Sequence, residues 1–147
     1  MDDSPVIFVV DDDESVRTAV RRLLLALHLP IRLFGSAEQF LSEIERGARG
    51  CLVLDLKLPG MSGLQLQQEL VSAQWKLPVV FITAHEDEDS RKTALGMGAI
   101  NYLRKPFDRR QFLESVNTAV ARAAEAREAR EAPDARDAPD ARENGSP

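Results

Sequence analysis

The stretch Cys51–Gly63, CLVLDLKLPGMSG, decides how this chain is read. Four apolar residues, Cys51–Leu54, run without a polar break and end on an aspartate, Asp55; Pro59-Gly60 and Gly63 then supply turn chemistry. A short continuous apolar run of this kind suits a strand covered on both faces, as in a parallel sheet. Working outward, four more such runs appear at Val6–Val10, Ile31–Phe34, Val79–Ile82 and Ile100–Leu103. Helix-like segments separate them. Strand and helix alternating five times predict a doubly wound α/β domain with a five-stranded parallel sheet and five helices.

The helices are marked at their starts. Ser36 with Gln39, Ser62 with Gln65 and Asp108 with Gln111 each set a capping side chain three residues ahead of a Gln able to reach back. In the first helix Val16, Ala19, Val20, Leu23, Leu24 and Leu27 recur at helical spacing and predict one apolar stripe against the sheet. Phe112, Leu113, Val116 and Val120 do the same in the last.

At 147 residues the chain has room for one domain with a true core. The apolar runs are too short to span a bilayer, and Met-Asp-Asp-Ser-Pro at the start has no basic, apolar leader; the expected location is cytoplasmic. Cys51, the single cysteine, has no internal partner and reads as a small core residue. Before residue 121 there are 14 Lys/Arg against 17 Asp/Glu, and afterwards 5 against 7. Neither part has the basic excess that binding a phosphate backbone requires, so direct nucleic-acid binding is not expected. From Ala121 the chain turns to Ala, Arg and Glu, strong helix formers that can prolong the last helix. Pro133 is expected to stop it, and the near-repeated hexamers APDARD (Ala132–Asp137) and APDARE (Ala138–Glu143) read by composition as a disordered tail.

The chemistry gathers at the strand ends. Asp11, Asp12 and Asp13 follow the first strand, Asp55 the third, Thr83 the fourth and Lys105 the fifth. In an open α/β sheet these carboxyl ends border one crevice. Two carboxylates at about 4 Å repel by roughly 4 kcal/mol at an effective dielectric near 20, and Lys105 offsets only one charge. A hard divalent cation such as Mg²⁺, held by oxygens and keeping positions open for a phosphoryl group, relieves that repulsion. Taken singly, each residue has an ordinary role: Asp13 or Glu14 as a helix cap, Thr83 as a strand end, Lys105 as a solvated charge. Their joint placement points to a metal-assisted phosphoryl site.

VVDDD (Val9–Asp13), LDLKLPGMSGL (Leu54–Leu64), FITAH (Phe81–His85) and NYLRKPF (Asn101–Phe107), in this order, resemble the receiver domain of two-component response regulators, over about Ser4 to Ala121. The TAH and KPF forms are similar to the FixJ-like branch of the CheY-like superfamily. The resemblance implies a flavodoxin-like receiver fold with Asp55 as phospho-acceptor from a histidine kinase or histidine phosphotransfer protein. It implies Mg²⁺ bound by Asp12, Asp55 and the Lys57 main-chain carbonyl, with Asp11 acting through water. Lys105 and Thr83 would contact phosphoryl oxygens, Thr83 and Tyr102 would form the switch, and His85 and Lys57 would line the water path. A cis Lys105-Pro106 bond is implied too. Many FixJ-like proteins carry a DNA-binding output domain; residues 122–147 resemble none, so signalling through protein contacts, including a phosphorylation-dependent homodimer, is the expectation. Other readings are a phosphorylation-independent binding module, the receiver part of a transcription regulator, or an aspartate-based phosphohydrolase. The last is disfavoured by Lys57, which stands where such enzymes commonly carry a second Asp.

Overall fold

The structure is a computed structural model that describes residues 4–85 and 87–131, with side chains through residue 125. Five strands form one parallel sheet: β1 (Val6–Val10), β2 (Ile31–Phe34), β3 (Gly50–Asp55), β4 (Val79–Thr83) and β5 (Asn101–Arg104). Between and after them run α1 (Glu14–Leu24), α2 (Ala37–Glu43), α3 (Gly63–Ser72), α4 (Glu88–Gly96) and α5 (Arg109–Glu131). The strand order β2-β1-β3-β4-β5 makes the chain step outward once and then reverse across β1 to β3. The crevice at such a reversal lies beyond the carboxyl ends of β1 and β3.

Successive side chains of a strand point to opposite faces, and here both faces are covered. Phe8, Val10, Leu52, Leu54 and Phe81 pack with Phe34, Phe40, Leu66, Leu70 and Trp75 on the side of α2, α3 and α4. Ile7, Val9, Cys51, Val53, Val80 and Ile82 pack on the other side with Val20 and Leu24 of α1 and Phe112 and Val116 of α5. That is why the strand runs are continuously apolar rather than alternating.

The doubly wound expectation holds, and small departures have local causes. β3 and β4 each run one residue past their apolar stretch to include Asp55 and Thr83, and β5 sits one residue later than expected. Ala19 is exposed, leaving Val20 and Leu24 as the buried centre of the α1 stripe. Ser62 and Gln65 form the full reciprocal cap of α3. At α2, Ser36 accepts from Gln39 N, but the Gln39 Oε1 accepts from Gly35 N instead of the capping residue. At α5, Asp108 accepts from Arg110 N at 3.3 Å, with no bond from the Gln111 side chain to it among the described residues. The Ala/Arg/Glu stretch does prolong α5, through Glu131. The expected stop at Pro133 and the repeat beyond it lie outside the described residues.

Candidate functional site

Register brings the strand-end residues together. Val10 pairs with Leu54, Asp55 with Ile82 and Thr83 with Arg104, so Asp11, Asp55, Thr83 and Lys105 reach the same rim. Asp11 is fully buried and held on every side. Its N–H donates to Phe34 O at 3.1 Å, and its Oδ1 accepts from Asp13 N at 2.9 Å. Its Oδ2 accepts from Lys105 Nζ at 3.0 Å, and its carbonyl from Arg17 Nη1 of α1 at 2.7 Å. Asp13 turns away to cap α1, accepting from Ser15 N and Oγ, which leaves Asp12 exposed at the mouth.

Asp55 is 5% exposed. Its Oδ2 lies 3.8 Å from Lys105 Nζ, while Lys57 N donates to its Oδ1 over a long 3.4 Å. Burial pushes its carboxyl up from 3.8 to about 6; the negative charge of Asp11 adds to the rise and Lys105 opposes it. Below it, α3 starts so close that a Cβ on Gly63 would overlap the Asp55 carbonyl oxygen, which fixes the need for glycine there. Carboxylate oxygens of Asp11, Asp12 and Asp55 all lie within 4.8 Å of one another. Three carboxylates facing one ammonium leave negative charge in excess, and a hard, all-oxygen donor set of this kind fits a divalent cation such as Mg²⁺.

Thr83 is fully buried, and its Oγ1 accepts from His85 N at 3.0 Å. Lys105 N donates to Thr83 O at 2.6 Å, and the Lys105-Pro106 bond is cis. Tyr102 is the register partner of Phe81, two residues before Thr83, and the two rings pack at 6.0 Å. The Tyr102 hydroxyl is shielded from solvent with no hydrogen-bond partner, and burial, then the charge of Asp87, pushes its phenol upward. His85 and Lys57 are exposed at the rim.

Two contacts escape a linear reading. Arg17 clamps the Asp11 carbonyl, and Glu38 of α2 accepts from Met61 N at 2.7 Å, pinning the loop between β3 and α3. That bond holds the Glu38 carboxyl below its usual range. Neither carries a sequence signal, because each joins segments that only the fold makes neighbours.

The fold and rim define a receiver of the phosphorelay type. The chain belongs to the response regulator receiver domain family, whose model matches residues 7–138. It is 41% identical over 115 residues to the transcriptional regulatory protein TdiR of Thauera aromatica, covering 78% of this chain and 51% of TdiR. The solved structure of the response regulator StyR superposes with a TM-score of 0.81 at 42% identity, covering 87% of this chain and 65% of that one. The FixJ-N crystal structure gives 0.69 at 29% identity, covering 80% and 94%. Curated relatives are longer, and the chain spans from 51% of TdiR to 59% of a FixJ of Azorhizobium caulinodans.

Proposed function

We propose that the chain is a phosphorylation-switched receiver in which Asp55 accepts a phosphoryl group from a phosphohistidine on a histidine kinase or histidine phosphotransfer protein. The observation that carries this reading is the buried Asp55 carboxylate, raised to about 6 and flanked by Asp11, Asp12 and Lys105. A carboxylate oxygen of Asp55 attacks phosphorus, the P–N bond to the donor imidazole breaks, and an acyl phosphate forms. Asp11, Asp12, Asp55 and the Lys57 carbonyl would hold Mg²⁺, which when bound neutralises phosphoryl charge. Lys105 pairs with a phosphoryl oxygen as that charge spreads, so catalysis is positioning and electrostatics. Hydrolysis of the acyl phosphate, with His85 and Lys57 lining the approach of water, returns the chain to its starting state. Both steps act on the chain itself.

The modified Asp55 carries roughly two negative charges and new acceptor oxygens. Thr83, already at the rim, turns its hydroxyl to one of them. Tyr102, whose hydroxyl has no partner in its shielded position, follows as the second half of the switch. The signal then leaves through protein contacts on α4, β5 and the start of α5, to a partner or a second phosphorylated copy. We place the protein in the cytoplasm; no helix among the described residues is long and apolar enough to cross a membrane. The receiver unit is assigned to residues 4–121, with 122–147 as an appended segment. A second reading, the receiver portion of a longer transcription regulator, is favoured by the chain spanning little more than half of relatives such as TdiR.

Intact mass after incubation with acetyl phosphate tests the central step. A Mg²⁺-dependent gain of one phosphoryl group, absent in Asp55→Ala, is the expected result. If neither acetyl phosphate nor beryllofluoride changes the protein, the switch reading fails and a phosphorylation-independent binding module replaces it.

A further inference from the structure

At the opposite, amino end of the sheet a groove of about 630 Å³ opens between α3, the approach to β4, the end of α4 and α5. Its volume falls in the range of small-molecule sites, about 300–1,000 Å³. The walls are apolar: Leu70, Trp75, Leu77, Val79 and Met97. Val71, at 49% exposure among the most exposed large apolar residues described, also lines it. Two charged residues contribute to the lining, Lys76 and Arg122, and both are cations. Both are exposed, and neither forms an ion pair among the described residues. Gln67 is 2% exposed and also contributes. Its Nε2 donates to Ala94 O at 3.0 Å, but its Oε1 is buried with no partner. The Trp75 Nε1 donates to Ala48 O, and its ring stacks on Phe40 with centroids 5.6 Å apart.

We propose that this groove is a second ligand site, separate from the acidic rim, that takes a small amphipathic anion: an apolar, ring-sized body carrying one anionic group toward Lys76 and Arg122. The apolar walls supply affinity through removal of area from water. The two cations, with no acidic residue in the lining, select the sign of charge. The inference stands on the groove alone and is independent of any role for Asp55.

The full chain carries its own reporter, since Trp75 is its one tryptophan. Titration with 1-anilinonaphthalene-8-sulfonate, an apolar anion, is expected to quench Trp75 fluorescence saturably, with energy transfer to the probe. The double variant Lys76→Glu/Arg122→Glu alters two exposed side chains and is expected to retain the circular dichroism spectrum while raising the dissociation constant about tenfold. Val71→Glu, a second surface change, is expected to weaken the probe as well. Neutral N-phenyl-1-naphthylamine is expected to be insensitive to the double variant. Quenching that never saturates, or a dissociation constant unmoved by the charge reversals, overturns the proposal. So does a dissociation constant that climbs with protein concentration, which would assign the groove to a second copy of the chain.

Discussion

Cys51 and Asp55 sit four residues apart on one strand, and burial acts on both with different outcomes. At Cys51 nothing opposes it: the thiol is pushed up to about 12 by desolvation alone, which leaves it protonated and inert at neutral pH. At Asp55 burial raises a carboxyl that starts far lower, from 3.8 to about 6, with the charge of Asp11 adding to the rise and Lys105 opposing it. Chemical type sets the starting values, 9.0 and 3.8, and position along β3 sets the surroundings. Cys51 belongs to the same apolar layer as Ile7, Val9, Val53 and Val80, whereas Asp55 ends the strand where other segments bring charge. Burial silences a thiol, while the same burial at a strand end leaves a carboxyl ionised near neutrality and more basic than an ordinary carboxylate.

The comparison breaks most severely if the entry of β3 is disturbed. Gly50 holds φ +147°, and a Cβ there would overlap the Val6 carbonyl oxygen of the neighbouring strand. Gly50→Ala should therefore cost more than about 3 kcal/mol in urea unfolding, moving both ends of the strand. A neutral substitution would mean that β1 and β3 do not approach as described.

The next test isolates Asp55 through pH. Its folded value is raised above the unfolded one, so the stability it contributes is fully present below about pH 4 and is lost as pH rises through about 6. Asp55→Asn lacks that loss. Relative to the variant, the wild-type chain should weaken by about 2–3 kcal/mol between about pH 4 and pH 8, read as the difference of two denaturation series. Parallel curves would show that the rim does not load Asp55 as inferred.

Magnesium sharpens the contrast from the other direction. At about pH 8, Mg²⁺ at roughly ten times its dissociation constant should stabilise the wild-type chain by about 1.4 kcal/mol, and Asp55→Asn by much less. Chelation should reverse the gain in a thermal melt. The smallest effect belongs to the silent end. Cys51→Ala should cost about 1 kcal/mol, leave the Asp55 pH dependence unmoved, and remove a thiol that reacts with a disulfide reagent only after unfolding.

What could be read from the chain follows from how local each feature is. The strands were legible because both faces are covered, which makes Val6–Val10 and Val79–Ile82 continuous apolar runs. Their ends were not, since Asp55 and Thr83 join the ladder despite being polar, and a hydrophobic pattern stops one residue short of them. Asp11, Asp12, Asp55, Thr83 and Lys105 could be gathered from sequence because strand-end position follows from the fold class. The Arg17 bond to the Asp11 carbonyl and the Glu38 bond to Met61 could not, since each depends on the rotation of a helix about its axis. Ala19 failed for the same reason: helical spacing gives a stripe, and the packing decides how wide it is.

The ion pair between Lys105 and Asp11 spans 94 residues of chain. On a ribosome, β1 and β3 and the rim aspartates Asp11, Asp12 and Asp55 would emerge well before the lysine that opposes them. A nascent chain ending near residue 90 would thus carry the acidic rim without the lysine that pairs with Asp11 and without a fifth strand. Site and sheet are completed in the same stretch of synthesis, since β5 and Lys105 follow one another directly.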